Sequence, residues 1–187
     1  MKLFIDASVR DSSRTLELSK YYLSYLNEEI TTIKLINEKL LPLNASSLKL
    51  RDQYIEENNF NDDLFKYAKL FKEADEIIVC APYYDLSFPA TLKLFIENIT
   101  VNNLTFGHNE KGERIGLCKA NKLVYITTSG GPIIQDYGYS YIKDLCENMY
   151  GIKECVCFSG EGLDMIQNDA TEILNDTKHQ IDLYFKG

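Results

Sequence analysis

Eight residues near the start of the chain, Ser8-Val9-Arg10-Asp11-Ser12-Ser13-Arg14-Thr15, combine four hydroxyls with two arginines. The hydroxyls of Ser8, Ser13 and Thr15, the N–H groups of a helix start, and the Arg10 and Arg14 side chains can together cradle a monophosphate. An N-capping turn draws on the same residue types, but a cap needs fewer of them. A second loop, Pro82-Tyr83-Tyr84-Asp85-Leu86, leaves the apolar run Ile77-Ile78-Val79-Cys80-Ala81. A packed core does not need two tyrosines at the exit of a buried strand, whereas a flat, partly apolar ligand over a sheet end can use both. Asp85 can accept a hydrogen bond from an imide N–H of such a ligand. The plainer reading is that the tyrosines cap the sheet edge and Asp85 sits in the turn. The third loop, Thr127-Thr128-Ser129-Gly130-Gly131-Pro132, has paired glycines that permit close backbone approach and present N–H groups to an oxygen. Taken alone, it reads as a turn that needs positive φ.

These loops have to be carried by regular elements. Strand-like apolar runs recur at residues 3–7, 32–36, 76–81, 122–127 and 154–158, separated by segments of helical period. The first helix is expected over roughly 15–29. Leu64, Tyr67, Ala68 and Phe71 mark a second, and Leu92, Phe95, Ile96 and Ile99 a third. Ile142, Leu145, Cys146 and Met149 mark a fourth, and Ile166, Ala170, Ile173, Leu174 and Ile181 a fifth. Alternating strands and helices imply βαβ crossovers and a parallel sheet covered on both faces. Five of each at this length predict an α/β three-layer sandwich of flavodoxin-like order, 2-1-3-4-5, with ligands at the carboxyl ends of the strands. Residues 37–61 and 102–121 read as two long connections, which in a small domain are usually functional or form an interface.

At 187 residues the chain is expected to form one domain over 1–187. No apolar run approaches the ~20 residues that span a bilayer, and Met1–Ile5 reads as a first strand rather than a leader, so no membrane partner and a cytoplasmic location are expected. The net charge of −8 argues against nucleic acid. A phosphate must then be held by local donors. The five cysteines include no C-x-x-C and read as reduced thiols, with Cys155 and Cys157 on one strand face. Only His108 and His179 could join them at a metal, and no metal site is expected. The first loop lacks G-x-G-x-x-G and G-K-[ST], which disfavours Rossmann dinucleotide and P-loop readings.

The motifs, in their order, resemble the flavodoxin-like NAD(P)H quinone reductase and FMN-dependent NADH-azoreductase family. The resemblance is carried by Ser8-x-Arg10 with Ser13-Arg14-Thr15, by Pro82-x-Tyr84 leading to Phe88-Pro89-Ala90-x-Leu92-Lys93, and by Thr127-x-x-Gly130-Gly131. Leu40-Leu41-Pro42-Leu43, the Leu104–Leu117 segment and Tyr150-Gly151-Ile152 with Gly160-Glu161-Gly162 extend it over nearly the whole chain. The proline-tyrosine loop with F-P-A-x-L-K is the most specific part. The resemblance implies a tightly bound FMN with its phosphate on Ser8, Ser13, Arg14 and Thr15. Its ring would lie against Pro82, Tyr83, Tyr84, Asp85 and Leu86 and against Thr128, Ser129, Gly130 and Gly131. It further implies NADH or NADPH as co-substrate and a small aromatic acceptor. A homodimer with flavin at the interface is also implied, the 102–121 loop and the third helix helping to build the partner's pocket.

The chain departs from the pattern in two places. Many relatives have Asn or an aromatic residue where Asp85 stands, and a carboxylate there would lower the flavin's reduction potential. Some carry a Tyr and a His beyond the Gly-Gly turn, whereas here Tyr137, Tyr139 and Tyr141 follow without a His. No residue is assigned a catalytic role, with Tyr137 and Tyr139 the candidates. The expected activity is ping-pong transfer of a hydride from nicotinamide through flavin to quinone, azo or nitroaromatic acceptors. An NAD(P)H:FMN reductase and a flavodoxin-type electron carrier are the alternatives.

Overall fold

Strands that are apolar on both faces require cover on both, and the chain supplies it with helices of opposite sides. A computed structural model describes residues 1–187. Its elements in order are β1 (Lys2–Asp6), α1 (Arg14–Leu23), β2 (Ile30–Lys34), α2 (Ala45–Glu56), α3 (Lys66–Glu73), β3 (Glu76–Cys80), α4 (Ala90–Ile99), β4 (Phe106–His108), β5 (Arg114–Gly116), β6 (Lys122–Thr128), α5 (Tyr139–Leu145), β7 (Glu154–Gly160) and α6 (Ala170–Lys186). The main sheet is parallel with order β2-β1-β3-β6-β7. The order 2-1-3-4-5 appears in these labels because an antiparallel hairpin, β4-β5, takes the fourth and fifth places.

Strand alternation divides the core. Leu3, Ile5, Ile77, Val79, Leu123 and Tyr125 face α3, α4 and α5, whereas Phe4, Ile78, Cys80, Val124 and Ile126 face α1 and α6. Cys155 and Cys157 share the first of these faces, as their spacing predicts. All five cysteines are free thiols. No helix is long and apolar enough to cross a membrane.

Local details differ from the sequence reading. β2 starts two residues earlier than expected and stops at Lys34, because parallel pairing with β1 runs from Lys2 opposite Ile30 to Asp6 opposite Lys34. Leu35 still fills the core from the short helical turn that follows, while Ile36 is exposed. The first helix ends at Leu23, well short of residue 29. Ile166 lies outside the last helix and is fully exposed; Asp169 caps that helix through Thr171 N–H at 2.8 Å.

There are six helices, not five. The extra one, α2, lies inside the presumed 37–61 connection. Asn44 and Ser47 form a reciprocal capping box at its start. It has no residue fully buried: Tyr54 and Ile55 pack partly on the core while Leu48 and Leu50 are exposed, so its sequence carries no continuous apolar stripe. The 102–121 connection contains the β4-β5 hairpin, and Gly116 is where it docks. A Cβ there would come within 2.1 Å of the Gly151 nitrogen, which only glycine avoids.

Candidate functional site

Three loops leave the carboxyl ends of adjacent strands β1, β3 and β6, and they converge on one cavity of about 210 Å³. Of the residues expected at a ligand site, Arg10, Ser13, Arg14, Thr15, Pro82, Tyr83, Tyr84, Thr128, Ser129 and Gly130 all line it. Two more line it that the sequence reading did not assign there, Ser12 and Asp164. Ser12 was visible as a fourth hydroxyl in the first loop. Asp164 had no sequence signal, since it stands 150 residues from the arginine it meets. Ser8, Asp85, Leu86 and Gly131 are not part of the cavity wall.

The first loop passes from β1 into α1. Ser13 caps the helix, its Oγ accepting from Leu16 N–H at 3.3 Å. The N–H groups of Ser13, Arg14 and Thr15 donate to nothing in the protein, as the free donors of a helix start do. Thr15 is buried and its hydroxyl meets that of Thr128 at 2.6 Å, joining the first loop to the third. Ser8 is 1% exposed; its N–H donates to Asp6 Oδ1 at 2.9 Å, but its hydroxyl has no partner. Buried hydroxyls are ordinarily satisfied. Arg10 makes no ion pair within the protein, whereas Arg14 donates to Asp164 Oδ1 at 2.8 Å and to the Leu163 carbonyl at 3.3 Å.

The second loop is a tight turn. Tyr84 and Ser87 exchange both backbone hydrogen bonds, at 3.0 and 2.8 Å, around Asp85 and Leu86. Those two residues have φ of 51° and 68°. Two successive left-handed residues are the mark of a primed hairpin turn, which glycine or asparagine normally supplies. An aspartate and a leucine there hold strain of order 1–3 kcal/mol each. The turn leaves Tyr84, Asp85 and Leu86 exposed.

Residues 132–138 brace this turn from the side. The Tyr83 hydroxyl donates to the Gln135 carbonyl at 2.8 Å, the Ser87 hydroxyl to the Tyr137 carbonyl at 2.9 Å, and Tyr137 N–H to the Leu86 carbonyl at 3.3 Å. Ile133 N–H donates to Glu161 Oε2 at 2.9 Å, anchoring the brace to the loop after β7. The side chain of Tyr137, 59% exposed, projects outward. Tyr139 is elsewhere: it borders a separate cavity of about 230 Å³ that shares only Tyr83 with the first. Its hydroxyl donates to the Cys155 carbonyl at 2.8 Å, and burial pushes that hydroxyl up to about 12. Tyr139 is a neutral, engaged donor at physiological pH. His108 on β4 and His179 on α6 are exposed and far from the loops in sequence.

The third loop is zipped to the one after β7. Leu163 N–H donates to the Ser129 carbonyl, Asp164 N–H to that of Gly130, and Gly162 N–H to that of Gly131, at 2.9–3.1 Å. Gly130 lies so close beneath Asp164 that a Cβ would come within 2.4 Å of its Oδ2. This is the close approach for which that glycine is needed. The assembled site offers hydroxyls, free amides and two guanidiniums at one end, and tyrosines with exposed apolar groups at the other.

The profile of a family described as having a flavodoxin-like fold matches residues 2–183. The FMN-dependent NADH:quinone oxidoreductase 2 of Clostridium acetobutylicum is 31% identical over 94% of this chain and 92% of its own length. The FMN-dependent NADH:quinone oxidoreductase of Clostridium perfringens is 30% identical over 88% and 87%. An azoreductase from Bacillus anthracis superposes with a TM-score of 0.84 at 19% identity over 98% of this chain and 97% of that one. An FMN-dependent NADH-azoreductase from the same species, solved in complex with FMN, gives 0.81 at 21% identity over 98% and 96%. At these identities the structural likeness speaks for the fold, while the family profile and the sequence matches speak for descent, and by these the chain belongs to the flavodoxin-like family that contains the FMN-dependent NADH:quinone oxidoreductases.

Proposed function

We propose that the protein is an FMN-dependent NAD(P)H oxidoreductase acting on small quinone, azo or nitroaromatic acceptors, and that residues 1–187 form one FMN-binding domain. The observation that carries this reading is the unsatisfied donor set of the first loop. Three free amides and Arg10 lack protein partners around one cavity, and the buried Ser8 hydroxyl of the same loop, outside the cavity wall, lacks one too; a phosphate monoester accepts from groups of that kind. The donor set therefore fits FMN. Ser8, Arg10, Ser13, Arg14 and Thr15 would hold the phosphate.

When bound, FMN supplies the ring that takes a hydride from NADH or NADPH and passes its electrons to the acceptor. The protein's part is placement. Tyr83, Tyr84 and Pro82 present aromatic and apolar surface on one side, and Thr128, Ser129, Gly130 and Gly131 present backbone and hydroxyls on the other. Asp85 and Leu86 act through the strained turn that aims Tyr84. A retained cofactor needs few acid–base side chains, so neither Tyr137 nor Tyr139 is assigned a proton-transfer role.

The exposed apolar residues of this end, Val9, Tyr84, Leu86, Ile134 and Tyr137, together with the exposed Leu48 and Leu50 of α2, support a homodimer with the flavin site at its interface. In that dimer the 102–121 segment and α4 contribute to the partner's pocket. A cytoplasmic location belongs to the same reading.

The test is the visible spectrum of freshly purified protein, before and after anaerobic NADH or NADPH. A flavin band that stays with the protein and bleaches within seconds is the expected result. A retained band that neither nucleotide bleaches indicates an electron carrier. A protein that loses flavin on gel filtration but reduces added FMN is an NAD(P)H:FMN reductase. No binding of FMN at all overturns the reading.

A further inference from the structure

Asp164 stands out because a carboxylate is the wrong sign for a phosphate cradle. It lines the same cavity as Arg10, Arg14 and the hydroxyls, in a molecule already carrying a net charge of −8. It is not needed to hold its own loop. Three backbone hydrogen bonds already zip residues 162–164 to residues 129–131. Nor is it the sole anchor of Arg14, which also donates to the Leu163 carbonyl. What the side chain adds is negative charge, placed 2.8 Å from one guanidinium nitrogen and close above Gly130. Of the other acids at this loop, Asp6 is buried and accepts from Ser8 N–H at 2.9 Å, and Asp11 is fully exposed and turned toward Lys34 at 3.4 Å.

We propose that Asp164 is a built-in counter-charge of the cofactor cradle: it competes with the FMN phosphate for Arg14 and repels it, and so limits both FMN affinity and the preference for FMN over riboflavin. This rests on the FMN reading above. The guanidinium has donors enough to face both anions, but the two anions repel each other across it. Arg14 and Asp164 are 37% and 66% exposed, so water screens the effect and keeps it modest. The consequence is a cofactor held firmly by many donors yet exchangeable, because one of its charged partners is shared.

The experiment titrates deflavinated protein with FMN and with riboflavin, following quenching of flavin fluorescence. Asp164→Asn keeps an oxygen to accept from Arg14 and removes only the charge. Its FMN Kd is expected to fall about threefold to fivefold, the size of a screened surface interaction, with the riboflavin Kd unchanged. Asp164→Ser, which drops the charge by a different route, is expected to show the same selective gain and stands in if the Asn variant misfolds. Raising salt from low to high should shrink the difference between wild type and variant. A parallel change for both flavins, or none, overturns the counter-charge role. Selective weakening of FMN also overturns it and makes Asp164 an aligning partner of Arg14. Wild-type protein that binds neither flavin sinks the underlying FMN reading instead, so the two failures are distinguishable.

Discussion

Polar groups are buried at both ends of the parallel sheet, and the two ends treat them oppositely. At the amino end Glu76 is 5% exposed. It accepts from the Tyr22 hydroxyl at 2.8 Å, pairs with Lys2, and lies 3.5 Å from Lys122. Burial pushes its carboxyl up, but hydrogen bonds from Lys2 and Tyr22 and the charge of Lys122 bring it below the ordinary glutamate range. At the carboxyl end the Ser8 hydroxyl and the first amides of α1 have no protein partner, and Arg10 makes no ion pair. A closed network and an open one, at opposite ends of one sheet, mean different things. The closed end is structural. The open end is kept for something the chain itself does not supply.

Breaking the closed end should produce the largest effect. Glu76→Ala leaves two lysines and a tyrosine around an uncompensated site, and is expected to cost about 3 kcal/mol in urea unfolding, with flavin affinity unchanged. Because the folded-state carboxyl is depressed, its contribution is present at neutral pH and is lost as the pH falls through its lowered range. The wild type should therefore lose more stability on acidification than the variant. Equal acid sensitivity would mean that the network is not closed in solution.

The open end should respond with opposite signs for two properties. Ser8→Ala removes an unpaired buried hydroxyl, so the flavin-free protein is expected to gain about 1 kcal/mol, visible as a Tm rise of about 2–4 °C. The same variant should bind FMN about tenfold more weakly, the worth of a hydrogen bond to a charged group. If the flavin-free protein loses stability instead, Ser8 has a partner in solution and the contrast between the ends fails.

Smaller effects refine the picture. Tyr22→Phe deletes one donor to Glu76 while leaving its ion pairs, and should cost about 1.5 kcal/mol by thermal or urea unfolding. Away from both ends, Lys178 pairs with Glu17 at 2.6 Å on the exposed contact of α1 with α6. Lys178→Ala is expected to change stability by no more than about 0.5 kcal/mol and to leave FMN affinity alone. A larger loss there would show that surface pairing, rather than burial, sets the scale at Glu76.

Much of this molecule can be read along the chain. The unbroken apolar runs Ile77–Ala81 and Leu123–Ile126 specify strands buried on both faces, because successive side chains of a strand point to opposite faces and here every one is apolar. The hydroxyl, tyrosine and glycine content of the loops after β1, β3 and β6 marks three ligand-bearing segments for the same local reason. What these local patterns could not supply is which groups remain unsatisfied and which meet. That the Ser8 hydroxyl is orphaned depends on every neighbour that packs around it. That Asp85 and Leu86 adopt left-handed backbone depends on the bonds that clamp Tyr84 to Ser87 and to the 132–138 segment. Helix α2 was hidden because a helix that fully buries no residue, with only Tyr54 and Ile55 partly packed on the core, needs no continuous apolar stripe. Asp164 reaches Arg14 across 150 residues only because the crossover connections lay the loop after β7 beside the one after β6. Periodicity is a local property, so one chain segment encodes it alone; satisfaction and pairing belong to the assembled surface, and only the tertiary structure decides them.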